Sequence, residues 1–214
     1  MTRRTCAMAV AIAMSVLLAA RTGEALDAAV ARTLEVGVVL VASPSLEDPN
    51  FKQTVVLICE YRPEGTTGLI LNRPTPLLLS EALPSEPIFK GTTYTVFAGG
   101  PVLTNALLML FRTEDAPSDA RRVLDGVYIG GDIPTATRLI TKPKPGETFR
   151  AFAGYAGWGP GQLEYEITTG AWAPVVGTTA IVFESEPERL WNDLLDFLRA
   201  PGTVSLPSTP QNGR

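Results

Sequence analysis

Short apolar runs, separated by polar segments rich in glycine and proline, recur along the chain. Residues 34–42 and 54–61 are continuous aliphatic runs rich in β-branched residues, which predict two buried strands. A third strand is predicted at 69–72, after the turn-forming segment 62–68, so the second and third strands should form a hairpin. Between the first two strands, the prolines, serines and acids of residues 43–50 predict a loop.

The remaining pattern predicts more strands and a few helices. Further strands are expected at 93–100, 106–113, 123–132, 149–158 and 178–185. Short helical segments are expected at 77–84, at 133–143, and after Pro160 as far as Gly170. This order of strands with short connections and few helices predicts an α+β fold with a mainly antiparallel sheet.

The clearest helix covers residues 185–200. Ser185 and Glu188 have the spacing of a capping box, and Arg199 suits the C-terminal end. Five residues form the apolar stripe that predicts packing on the sheet: Leu190, Trp191, Leu194, Leu195 and Leu198. The 214 residues suit one domain, predicted at 34–200 and followed by a flexible tail at 201–214.

The N-terminal segment has the pattern of a secretory signal peptide. Arg3 and Arg4 precede an apolar, uncharged stretch at 6–20, which is short for a membrane span. The predicted signal covers residues 1–25, with cleavage after Ala20, Ala25 or Ala31 and a preference for Ala25. The mature protein is then periplasmic or secreted, without a transmembrane segment; the alternative is a membrane anchor formed by an uncleaved N-terminus.

Charge disfavours nucleic acid as a partner. The chain has a formal net charge of −4, and removal of residues 1–25 leaves 15 basic and 21 acidic residues, a net charge of −6. Such a surface repels a phosphate backbone.

Histidine is missing from the whole sequence, and the cysteines are Cys6 and Cys59. A catalytic triad needs an imidazole, and a structural zinc site needs histidine or several thiolates. We therefore expect no metal, no cofactor and no catalytic residue of these kinds. Cys59 lies in an apolar run, where a core residue is more typical than a reactive thiol.

Four stretches, in this order and spacing, resemble the YqgE/AlgH family of bacterial proteins. They are DPNFKQTVVLICEY (48–61), GLILNRPT (68–75), FAGGPV (97–102) and GYAGWGPGQLEYEI (154–167). The resemblance implies an α+β fold whose bifurcated, mainly antiparallel sheet forms a pseudo-barrel flanked by helices. It implies a largely uncharacterised function, with a regulatory association in one branch. The chain departs from the family at Tyr61, where a histidine is usual, and in its export signal.

The motifs also supply candidate binding residues. Gly154, Gly157, Gly159 and Gly161 would let a backbone approach a ligand, although their spacing fits no nucleotide motif and a tight strand-to-helix turn explains them as well. Arg73 could hold a carboxylate or phosphate, or pair with Asp48 or Glu164 to join two loops. The candidate residues for a ligand or partner are Asp48, Asn50, Asn72, Arg73, Tyr155, Trp158, Gln162 and Glu164.

Two functions from different classes fit these residues. The first is a non-enzymatic binding or regulatory module whose partner is a protein or a small ligand. The alternative is a hydrolase or transferase with Asp48, Glu60 or Glu164 as a base and Arg73 as a clamp. The alternative requires two of these groups in one pocket.

Overall fold

A curled, mainly antiparallel sheet forms a half-barrel in the computed structural model, which describes residues 34–130 and 133–200. The strands are β1 (Val38–Ala42), β2 (Val55–Arg62), β3 (Gly65–Ile70), β4 (Pro74–Leu78), β5 (Thr95–Ala98), β6 (Val102–Arg112), β7 (Ala120–Leu124), β8 (Val127–Gly130), β9 (Thr148–Trp158) and β10 (Trp172–Val176). The predicted α+β class is confirmed. The predicted signal peptide and C-terminal tail lie outside the described residues.

Five α-helices accompany the strands in the described ranges. They are α1 (Leu79–Ala82), α2 (Ile133–Thr141), α3 (Gln162–Thr168), α4 (Thr179–Phe183) and α5 (Pro187–Arg199), with one 3₁₀ turn at Pro87–Phe89. No helix in this part of the chain combines the length and the apolarity that crossing a membrane requires.

The sheet forks at β9. The strands follow the order β10-β1-β2-β3-β9-β6-β8-β7, and β5 also joins β9. Residues 156–158 of β9 pair with β3, whereas residues 151–153 pair with β5 in parallel, and β5 continues to β4. This fork produces the bifurcated sheet that the family resemblance implied, with β5–β9 as a parallel exception.

Three apolar clusters hold the layers together. One covers the inner face of the half-barrel and receives Val182 of α4 and Leu190 and Leu194 of α5. A second joins the opposite face of β1 and β2 to Leu163 of α3. The third packs α1 and α2 against Phe111 and Phe149. The strands alternate between faces because successive side chains point to opposite sides of a sheet.

Several predicted elements differ from the observed ones. β4 and β10 were not predicted, because both are short and contain proline. The predicted strand at 123–132 is a hairpin of β7 and β8 around Asp125 and Gly126. β3 begins at Gly65, inside the segment assigned to the turn.

The strand predicted at 178–185 is wrong, because residues 179–183 form α4. The hydroxyl of Thr178 caps the helix by accepting a hydrogen bond from the amide of Ile181 at 3.2 Å. Val182 is fully buried on the inner-face cluster. Tertiary packing here overrides the strand preference of β-branched residues.

The predicted capping box of α5 is also wrong. The helix begins at Pro187, and its N-cap residue Glu186 makes no side-chain hydrogen bond. The Ser185 hydroxyl instead donates to the carbonyl of Ala180 at 3.2 Å, so it helps to end α4.

A nearly buried carboxylate joins three segments at the end of β6. The Glu147 side chain is 2% exposed and accepts two hydrogen bonds from the Arg138 guanidinium, at 2.8 and 3.0 Å. The Thr113 hydroxyl and the Lys144 amide donate to it as well. These bonds, above all those from Arg138, lower the pKa of Glu147 from 4.5 to about 2.

We expect Glu147→Gln to lower the free energy of unfolding by about 2 kcal/mol at pH 7, since hydrogen bonds to a charged group are lost. The pKa of Glu147 is depressed in the folded chain, so its contribution is complete above pH 4.5 and disappears as the pH falls towards 2. Denaturant unfolding of the variant and the unchanged protein at pH 7 and pH 3 measures the loss in the free energy of unfolding. The exposed Glu114→Gln is the control, and an equal loss at both pH values would contradict the assignment.

Candidate functional site

The inner face of the half-barrel opens as a groove of about 450 Å³. Its floor is apolar and comes from Leu69 of β3, Leu108 of β6 and Ile129 of β8. Five residues supply its polar lining: Glu60, Thr67, Asp119, Arg121 and Tyr155. We call this feature the Tyr155 groove. An apolar floor with a few convergent polar groups is the usual composition of a ligand site.

A β-bulge places Glu60 in the groove. The pairing of β2 with β3 shifts register between Ile58 and Glu60, because the extra residue Cys59 is unpaired. Ile58 packs on the outer cluster and Cys59 on the inner one, yet Glu60 lines the groove beside Cys59. Without the bulge, alternation would send Glu60 to the outer face.

Arg121 reaches from β7 to the bulge near the end of β2. Its guanidinium donates to the Cys59 carbonyl at 3.4 Å and lies 3.5 Å from Glu60, while Arg62 approaches the same Glu60 oxygen at 2.8 Å. The Arg121 side chain is 50% exposed. Glu60 thus pairs with two guanidiniums, and its contact with Arg121 is the longer of the two.

Leu103 forms one lip of the groove in a strained conformation. Residues 103–106 of β6 stand opposite the single residue Gly154, because the β6–β9 register shifts between Val102 and Leu107. Leu103 has φ of 48° and its side chain is 59% exposed. Positive φ costs a residue such as leucine on the order of 1 kcal/mol or more, and such strain collects at ligand sites.

The groove continues into a second cavity. That cavity has about 620 Å³ and shares Glu60, Thr67 and Tyr155 with the first. It ends beside Glu64 and Trp158. The two cavities therefore form one continuous path across β2, β3 and β9.

Cys59 borders this path but is a poor nucleophile. It is 2% exposed, and burial raises the pKa of its thiol to about 12. The thiolate is the reactive form, so the thiol stays protonated near neutral pH.

The candidates in the first loop make bonds within the protein. Asp48 accepts from the amide of Asn50 at 2.8 Å, which closes a local turn. Asn72 accepts from the Val55 amide and donates to the Gln53 carbonyl, both at 2.9 Å. The Asn72 side chain therefore supplies the hydrogen-bond partners that a neighbouring strand would otherwise supply to the main chain at the start of β2.

Arg73 locks the same loop, although its partners differ from the expected carboxylates. Its guanidinium donates to the carbonyls of Pro49 and Lys52, at 3.2 and 3.1 Å. Phe51, between them, stacks on Trp158 with ring centroids 6.0 Å apart. The loop, Arg73 and Trp158 of the glycine-rich segment thus lie together.

Trp158 and Gln162 are tied to one carboxylate. The indole N–H groups of Trp158 and Trp172 donate to one oxygen of Glu166 at 2.9 and 2.8 Å, and Gln162 donates to the other at 2.8 Å. Trp158 is only 5% exposed. This cluster fastens α3 to β9 and β10.

The glycines serve close packing and a turn. A Cβ at Gly154 would lie 2.5 Å from the carbonyl oxygen of Gly100, and φ of Gly154 is 71°. Gly161 has φ of 71° at the N-cap of α3, and the side chain of Gln162 accepts from the Gly159 amide at 3.1 Å. These contacts favour the turn interpretation over a phosphate site.

Glu164 contacts Tyr61 on one face of β2, and Glu60 lies on the opposite face. The Tyr61 hydroxyl donates to Glu164 at 2.8 Å, beside a cavity of about 250 Å³. Burial and then this hydrogen bond raise the pKa of Tyr61 to about 12. Asp48, Glu60 and Glu164 therefore occupy three separate places.

Among the eight candidate binding residues, Tyr155 alone lines the first cavity, and Trp158 lines the second. Glu60, a candidate base, lines both. The polar lining residues Asp119 and Arg121 were missed, because the sequence does not show that β7 comes to lie beside the end of β2. Leu103 carries no sequence signal for positive φ. No group of three or more acidic or thiol side chains in residues 34–130 and 133–200 is arranged to hold a metal ion.

Comparison with known proteins places the chain in a family. The AlgH-like family (DUF179) matches residues 39–201. The chain belongs to the AlgH-like family. It is 39% identical over 163 residues to a UPF0301 protein of Chlorobium luteolum, and 40% identical over 165 residues to one of Streptomyces avermitilis. These alignments cover 75% and 74% of this chain and 84% of each relative.

Two solved structures share the fold. The solution structure of AlgH from Pseudomonas aeruginosa has a TM-score of 0.63 and 26% identity, and covers 81% of this chain and 95% of that one. A crystal structure from Corynebacterium diphtheriae has a TM-score of 0.63 at 24% identity, over 78% and 88% of the two chains. The family resemblance stated from the four motifs is therefore confirmed.

Tyr61, where the AlgH-like resemblance implies a histidine, gives a test of the Glu164 contact. We expect Glu164→Gln to lower the phenol pKa of Tyr61 from about 12, since the carboxylate favours the protonated phenol. Burial contributes more, so the pKa should stay above 10. Alkaline absorbance titration, with Tyr61→Phe to assign the signal and Glu188→Gln as control, measures the shift. An unchanged phenol pKa would contradict the contact.

Proposed function

We propose that this AlgH-like protein is a non-enzymatic binding module that acts outside the cytoplasm and takes its ligand or partner in the Tyr155 groove. The observation that carries the proposal is the distribution of free polar groups. Three candidate residues of the loops use their polar atoms for hydrogen bonds within the protein, at the distances given above: Asp48, Asn72 and Arg73.

The groove differs, because three of its polar groups have no partner in the described part of the chain, although Glu60 and Arg121 pair with each other. Asp119 is exposed, and neither its carboxylate nor the hydroxyls of Thr67 and Tyr155 have a hydrogen-bond partner among the described residues. The apolar surface still exposed beside them belongs to Leu103, Ala106 and Leu108. Ligand binding would satisfy the polar groups and bury this surface, which contributes roughly 25 cal/mol per Å² of apolar area.

The carboxylate-dependent hydrolase or transferase is the weaker candidate. It requires two of Asp48, Glu60 and Glu164 near one substrate position, and these three groups lie in a turn, in the groove and against Tyr61. Arg62 holds Glu60 at 2.8 Å and occupies the oxygen that a base would use.

We expect Leu103→Asn to separate stability from binding. Asparagine tolerates positive φ, so the free energy of unfolding should rise by about 0.5 kcal/mol or more, while loss of the apolar lip weakens binding several-fold. A small-fragment library followed by amide NMR shifts supplies the binding measurement. Leu77→Asn, at a leucine that is 40% exposed elsewhere, is the control and should not gain stability.

The proposal would be wrong if fragments bound elsewhere and left the amides of Thr67, Leu69 and Ile129 unshifted. It would also be wrong if purified protein turned over a substrate at a rate that Glu60→Gln abolished.

Export rests on the basic start and apolar stretch of residues 1–25. We expect the mature protein in the periplasmic or secreted fraction, with an N-terminus at Leu26. N-terminal sequencing of the fractionated protein measures both. Recovery of the intact chain in the membrane fraction would support the uncleaved anchor instead, and recovery in the cytoplasm would contradict export.

A further inference from the structure

We infer that the Tyr155 groove takes an extended peptide segment in which an aliphatic side chain stands next to a lysine or arginine. This inference names the partner class of the proposed binding module and therefore rests on the proposed function. It is carried by the shape of the groove, its apolar floor and the placement of its unpaired charges.

The shape fits an extended chain. The two cavities share Glu60, Thr67 and Tyr155, and together they run from Ile129 to Trp158. The two cavities cross several strands and are open to solvent, so a peptide main chain can enter them from the side. The unpartnered hydroxyls of Thr67 and Tyr155 lie where the cavities join and can bond to peptide amides and carbonyls.

The floor fits an aliphatic side chain. Leu69 and Ile129 are buried and form its base, and Ala106 and Leu108 add partly exposed apolar surface beside them. Gly68 also lines the groove and adds no side chain to it. Leu103 stands at the lip, able to cover the inserted side chain.

The charges favour a basic neighbour. Glu60 serves both Arg62 and Arg121. Asp119 borders the first cavity and Glu64 the second, and neither has an ion-pair partner in the described ranges. The three carboxylates outnumber the two guanidiniums, and the chain as a whole has a net charge of −4. Such a field attracts a basic segment and repels an acidic one.

Two capped peptides that differ at one position test the inference. Ser-Gly-Leu-Lys-Gly-Ser and Ser-Gly-Leu-Glu-Gly-Ser, each with a fluorophore, are titrated with the full chain and followed by anisotropy. We expect the lysine peptide to bind about fivefold more tightly at low salt, as one exposed ion pair gives. The preference should shrink as salt rises.

Charge reversal at Asp119 sharpens the test. Asp119→Lys should reverse the preference in favour of the glutamate peptide. Asp125→Lys is the matched control, since Asp125 is fully exposed in the turn between β7 and β8 and does not line the groove. It should leave the lysine preference unchanged.

The outcomes separate the inference from the proposed function. Equal affinity for the two peptides, or a preference that Asp119→Lys and Asp125→Lys change alike, would overturn the charge assignment. Fragments that shift the groove amides while neither peptide does would overturn the peptide class and leave the binding module standing. If neither the fragments nor the peptides shifted the groove amides, both the inference and the proposed function would be wrong.

Discussion

The fork of the sheet depends on two main chains that cross more closely than a Cβ atom allows. A Cβ at Gly99 would lie 2.3 Å from the Gly154 carbonyl oxygen, and one at Gly100 would lie 2.1 Å from the carbonyl carbon of Tyr155. The Gly99 amide donates to Ala153 at 2.8 Å, and its carbonyl accepts from Ile70 at 2.9 Å. Glycine is required because no other residue permits this approach.

The crossing also creates the groove. It lets β9 change partners from β5 to β3, and it forces residues 103–106 of β6 to bulge around Gly154. The bulge places Leu103 at the lip, and Tyr155 follows the crossing directly. A requirement of main-chain packing thus sets the position of the proposed binding surface.

A second constraint concerns the polar residues of the loops that carry the family motifs. A buried or half-buried main chain must have its amides and carbonyls paired. Asn72 and Arg73 supply those partners for residues 49–55, and Glu166 does so for two tryptophan N–H groups. Their polarity has a structural explanation. The Asp119 carboxylate and the hydroxyls of Thr67 and Tyr155 have no partner among the described residues, which is why ligand binding is proposed at the Tyr155 groove.

The sequence by itself determined the fold class, the family, the hairpin of β2 and β3 and the long helix α5, because apolar periodicity and glycine-bearing motifs are local signals. It also excluded triad and zinc chemistry by composition. Tertiary structure alone decided that residues 179–183 are helical, that Asn72 and Arg73 bind main chain, and that Arg121 reaches Glu60. These depend on contacts between segments far apart in the chain, and neither propensity nor spacing records which distant atoms a side chain will meet.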